Sequence, residues 1–133
     1  MGAHLTKDSI DLGIVTTNAA AMIGFYRDVL GFTDDGEMPM PGGTMYRLRC
    51  GTSAIKLVSP SREPKATAPP GGIQGATGYR YWTISVDNLD DVVAACEGGG
   101  HKVAVPVTEL RPGIRIAIVE DPDGNWVEFL DAR

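Results

Sequence analysis

The chain contains a degenerate copy of itself, and an internal repeat of this period restricts the possible folds more than any property of composition does. Residues 10–18 lie over residues 80–88 at a shift of 70, and residues 51–58 lie over residues 123–130 at a shift of 72. Each copy opens with a strand-like run that ends at an Asn and passes into a helical pattern. After Asn18 the apolar residues Met22, Ile23, Tyr26 and Leu30 fall on one helical face, and Gly31 supplies the stop. After Asn88 the stripe is Leu89, Val92, Val93 and Cys96, with Asp91 where a capping box places a carboxylate and Gly98, Gly99 and Gly100 closing the helix. Both asparagines are predicted N-caps.

Each half has room for two further strands before its last one, residues 32–40 and 44–50 in the first and residues 101–107 and 114–120 in the second. Pro41-Gly42-Gly43, Arg111-Pro112-Gly113 and Asp121-Pro122-Asp123-Gly124-Asn125 read as the turns between them. The expected fold is therefore α+β, two βαβββ modules forming a cupped mixed sheet. Residues 8–131 make the domain, with module one over 8–59, a Pro- and Gly-rich linker over 60–78 and module two over 79–131.

Composition narrows the partners. Twelve Lys and Arg against 17 Asp and Glu leave a net charge of −5, which argues against nucleic acid or an anionic membrane as partner and for a small molecule. No apolar run approaches the roughly 20 residues of a membrane span, and the first residues carry no signal-peptide core, so a cytoplasmic location is expected. Cys50 and Cys96 are expected to be buried small residues. The glycines between Gly72 and Gly78 lack the Gly-Lys-Ser/Thr ending of a phosphate loop, and no Gly-x-Ser-x-Gly or His-Glu-x-x-His string is present. Asp87, Asp90 and Asp91 sit at a helix start, where the helix dipole accounts for them.

Two strings make the pattern specific: Phe25-Tyr26-Arg27-Asp28-Val29-Leu30-Gly31-Phe32, and Asp121-Pro122-Asp123-Gly124-Asn125-Trp126-Val127-Glu128. Together, framing the repeat, they resemble the vicinal oxygen chelate superfamily, whose members include glyoxalase I, bleomycin-resistance proteins and extradiol dioxygenases. In the metal-dependent members, the resemblance implies, one residue early in the first strand and one in the last strand of each module hold a divalent ion. Those positions correspond here to Asp11, Lys56, Tyr81 and Glu128. Only Glu128 matches the usual ligand type; Lys56 carries its own positive charge, and Tyr81 is a poor ligand at neutral pH. The expectation is no cofactor and no metal, with Asp11 and Glu128 the ligands if a divalent ion binds. Lys56 then either stands in for the ion by its charge or is half of an ion pair left by metal loss. The resemblance also implies modules paired within or between chains, hence a homodimer.

Strand alternation, stepping by two from Lys56 and Glu128, places Asp11, Met45, Arg47, Arg49, Tyr81, Thr83, Arg115 and Trp126 on the ligand face. The other face of the same strands, including Ile10, Ile114, Ile116 and Ile118, is expected to meet the helices. Arg47, Arg49, Lys56 and Arg115 against Asp11 and Glu128 favour an anionic or aromatic ligand. Two functions remain open on these residues. One is a metal-free small-molecule-binding protein of the bleomycin-resistance kind. The other is a glyoxalase-like lyase, isomerase or epimerase in which Glu128 is the general base, Asp11 shares the proton work and Lys56, Arg47 or Arg115 stabilises an enolate.

Overall fold

A computed structural model describes residues 2–133, and the chain divides into two compact units, Met1–Lys65 and Ala66–Arg133. In the first unit β1 (Leu12–Val15) leads into α1 (Ala19–Ile23), whose last turns widen to π geometry over Gly24–Val29; β2 (Thr33–Met40), β3 (Gly43–Cys50) and β4 (Ser53–Pro60) follow. The sheet order is β1-β4-β3-β2, with β1 parallel to β4 and the other pairs antiparallel. A parallel pair needs a crossover connection, and α1 is part of it. The second unit repeats the plan with β5 (Tyr81–Ser85), α2 (Leu89–Gly98), β6 (Val103–Arg111), β7 (Ile114–Glu120) and β8 (Trp126–Ala132), in the order β5-β8-β7-β6. Both units are thus βαβββ, as the repeat predicts. No helix among the described residues is long and apolar enough to cross a membrane.

The two motif strings are explained by local structure. The Leu30 N–H reaches back five residues to the Phe25 carbonyl at 3.0 Å, and the Phe32 N–H bonds the Tyr26 carbonyl at 3.0 Å across Gly31, whose φ of +81° suits a residue without Cβ. The Tyr26 ring meets Phe25 edge-on at 4.8 Å and stacks on Phe32 at 5.9 Å. Phe25, Tyr26 and Met22 are buried with Leu48, Ile55 and Leu57 in the core of the unit, and Phe32 covers them half-buried. In the second string, buried Asp121 accepts from the backbone N–H groups of Asp123 and Asn125, each at 2.9 Å, and from Asn125 Nδ2 at 2.9 Å. That clasp sets the length of the β7–β8 turn.

The asparagines hold the N-cap positions without capping by side chain. At the first helix Thr16 acts instead, its Oγ1 accepting from the Asn18 N–H at 2.9 Å. Ile10 lies before β1 and is 81% exposed, not core as the alternation predicted.

The turn clasp also corrects the facing of β7. Glu120 pairs with Trp126, so Ile118 stands across from Glu128 and Ile116 from Leu130, while Arg115, Ala117 and Val119 stand across from Asp131, Phe129 and Val127. Cross-strand partners share a face. Ile114, Ile116 and Ile118 therefore lie on the Glu128 face, and Arg115 lies on the face that carries α2.

The segment before β5 is not an unstructured connector throughout. Residues 69–75 form a strap with a 3-10 turn at Gly72–Gln74, gathered by Arg80, which donates to the carbonyls of Gly72 at 2.6 Å and Pro69 at 2.7 Å. A Cβ on buried Gly72 would sit inside the Trp126 indole, and its φ of +55° is left-handed. Gly72→Val should therefore cost roughly 1–3 kcal/mol, by overpacking and by backbone strain. Urea denaturation checks this, with a red shift of tryptophan emission expected as the strap lifts from the indole; an unchanged midpoint and spectrum would place the strap elsewhere.

Candidate functional site

In the first unit the candidate residues assemble around β4. Asp11, just before β1, accepts from Lys7 Nζ at 2.7 Å and from the Ala54 N–H at 2.9 Å, and Lys56 Nζ lies 4.0 Å from its other oxygen. The Lys7 hydrogen bond first, then that of Ala54, holds the Asp11 carboxyl below its ordinary range. Arg47 on β3 is directly across from Lys56, and Met45 across from Val58, so these side chains share the Lys56 face, as the alternation predicts. Arg49 shares that face too but is drawn to the outer strand, where its Nε lies 3.4 Å from Asp35. Gly13 is the partner of Lys56 on β1, and a Cβ there would meet nothing within 4 Å, so the space over Gly13 is open.

In the second unit Tyr81, Thr83 and Ser85 stand beside Trp126, Glu128 and Leu130. The Thr83 hydroxyl donates to Glu128 Oε1 at 2.7 Å, fixing the carboxylate, and Tyr81 is half exposed next to Trp126. Trp126 Nε1 donates to Glu120 Oε2 at 3.2 Å, with Lys102 Nζ 3.7 Å from the same oxygen. Glu120 and the Gly72 strap were not anticipated from sequence. The signal for Glu120 is the length of the Asp121 turn, which seats it across from Trp126.

Arg115 leaves the candidate set. Its Nη2 lies 3.2 Å from buried Asp131 and its Nη1 3.4 Å from Asp90 on α2, so it ties sheet to helix on the face opposite Glu128. Without it the Glu128 face of the second unit carries the carboxylates Glu120 and Glu128 and the aromatics Tyr81 and Trp126; the Lys56 face of the first unit carries Arg47, Arg49 and Lys56.

The donor set does not suit a divalent metal. An ammonium occupies one of the four positions and a phenol another, and among the described residues no group of three His, Cys, Asp or Glu is placed to hold an ion. Cys96 is fully buried, and burial pushes its thiol up to about 11, which fits an inert core residue.

A profile of the Glyoxalase/Bleomycin resistance protein/Dioxygenase superfamily matches residues 3–129. CFP32 of Mycobacterium bovis and Mycobacterium tuberculosis, provisionally named a glyoxylase, is 28% identical over 129 residues, which is 96% of this chain and 46% of CFP32. The chain thus spans about half the length of these curated relatives. The uncharacterized protein YaeR of Escherichia coli is 29% identical over 125 residues, 90% of this chain and 92% of YaeR. Among solved structures, a glyoxalase family protein from Bacillus cereus superposes with a TM-score of 0.83 at 16% identity, over 98% of this chain and 96% of the other.

Proposed function

The chain belongs to the Glyoxalase/Bleomycin resistance protein/Dioxygenase superfamily, and from that membership we propose that it is a metal-free small-molecule-binding protein for an anionic or aromatic ligand. The observation that carries the proposal is the Lys56 ammonium, 4.0 Å from Asp11, at a position where metal-dependent relatives present an anionic ligand atom. A fixed cation there adds to the charge that Lys7 already sets against Asp11 and repels a second cation. Within the first unit Arg47 and Lys56 suit an anionic group; within the second Tyr81 and Trp126 offer aromatic faces and Glu128, oriented by Thr83, an acceptor.

The binding role is favoured over the lyase or isomerase role because catalysis in metal-dependent relatives uses an ion to polarise paired substrate oxygens. These residues do not suit such an ion. Elemental analysis of purified protein after mild dialysis should find well under one equivalent of Zn, Ni, Fe or Mn per chain. About one equivalent of any of them would overturn the proposal.

A further inference from the structure

Among the described residues three arginines are half-buried: Arg47, Arg80 and Arg115. Arg80 spends its guanidinium on the carbonyls of the strap, and Arg115 on Asp131 and Asp90. Arg47 has neither a hydrogen bond nor an ion pair among the described residues, and its Nε is buried. A guanidinium is never neutral at physiological pH, so it cannot shed its charge to relieve burial without an acceptor. Exposed Arg62 and Arg111 have water to satisfy them, which a buried Nε does not.

Its neighbours do not supply an acceptor. Lys56 is the cross-strand partner of Arg47. Asp11, the carboxylate nearest that ammonium, is already bound by Lys7 and the Ala54 N–H. Arg49, two residues along β3, is engaged by Asp35. The group that would satisfy these side chains therefore offers acceptor oxygens carrying negative charge, to a guanidinium without a partner among the described residues and to one ammonium. A planar carboxylate or a phosphate matches the fork with two parallel hydrogen bonds.

We propose that Arg47 and Lys56 form a subsite for the oxyanion group, carboxylate or phosphate, of a small ligand. The inference rests on the reading of the Lys56 face as a ligand face, and it adds the chemical group that this face takes. Arg47 supplies the bidentate geometry and Lys56 an undirected charge. The Met45 side chain, on the same face, gives the rest of the ligand an apolar surface.

Titration calorimetry with inorganic phosphate in one arm and benzoate in the other tests it, using sodium chloride as the blank and the full chain throughout. Saturable binding of at least one anion is expected, and the responsive arm tells phosphate from carboxylate. Arg47→Lys keeps the charge but loses the fork and should weaken that binding about tenfold or more; Arg62→Lys, an exposed control, should leave it unchanged. No saturable binding of either anion, or equal binding by Arg47→Lys, would overturn the subsite. If Arg47→Lys fails to fold, the wild-type protein decides through the Arg47 Nε–Hε resonance, which should shift on titration with the anion. A resonance that stays put overturns the proposal. Metal analysis separates this inference from the reading beneath it. An anion response in a chain carrying stoichiometric metal would remove the metal-free reading and leave the subsite standing.

Discussion

Lys56→Glu should give the protein a saturable divalent-cation site that the wild type lacks, with a Kd of about 0.1–1 mM for calcium or manganese. The ammonium now lies 4.0 Å from an Asp11 oxygen, and a carboxylate in its place would put two acids close together, one just before β1 and one on β4. Like charges at that spacing repel unless a cation is shared. The open space beside Gly13 leaves room for one. Lys7, bound to Asp11, and Arg47, across the strand, would compete for the new carboxylate, which keeps the affinity at the weak end. Lys56→Met, which removes the ammonium without adding oxygens, should show no gain. Calorimetry on the three proteins checks this. A Lys56→Glu variant that binds no better than wild type would mean that Lys56 does not stand where an ion could.

Asp131→Asn should destabilise the protein more than any other single carboxylate-to-amide change in the second unit. Asp131 is 2% exposed and holds two guanidinium groups, Arg115 at 3.2 Å and Arg133 at 3.0 Å. An amide would leave half-buried Arg115 with only exposed Asp90 as counter-charge, and an uncompensated buried charge is the costly outcome of breaking such a pair. Arg133 first, then Arg115, holds the Asp131 carboxyl below its ordinary value of 3.8. A carboxyl whose folded value is depressed contributes stability above the unfolded value and loses it as pH falls through the folded one. The gap between wild type and variant should therefore be constant from neutral pH down to about 5 and close below 3.8. Urea titrations across pH check it, with exposed Asp123→Asn as the control. Asp131→Leu with Arg115→Met, which removes both charges, should recover part of the loss. A gap that persists at acid pH would show that shape, not charge, holds the site.

The misplacement of Arg115 shows where pattern reading stops. In β8 the alternation is legible because Val127, Phe129 and Asp131 are buried while Trp126, Glu128 and Leu130 are partly exposed. In β7 Ile116, Ala117, Ile118 and Val119 are all buried, so hydrophobicity carries no period of two, and the larger isoleucines suggest the wrong face. What settles the matter is a count across the Asp121 turn, since a shift of one residue exchanges the two faces. Asp131, unremarkable in sequence near the chain's end, becomes an anchor for the same reason. Arg115 reaches it only in that register.

The repeat, the helix stripes, the glycine stops and the two motif strings are enough to establish two βαβββ modules, because all of these depend on contacts near in sequence or on strand parity, and the nearness of Asp11 to Lys56 follows from the family resemblance those strings carry. The strap over Trp126, the partnership of Thr83 with Glu128, the unpaired state of Arg47 and the true face of Arg115 depend on which residues meet after the chain has turned back on itself. A guanidinium reads the same in a sequence whether it grips a carbonyl, neutralises a buried carboxylate or stands open. Its function is set by the acceptors within about 3 Å of it, and those are supplied by strands distant along the chain.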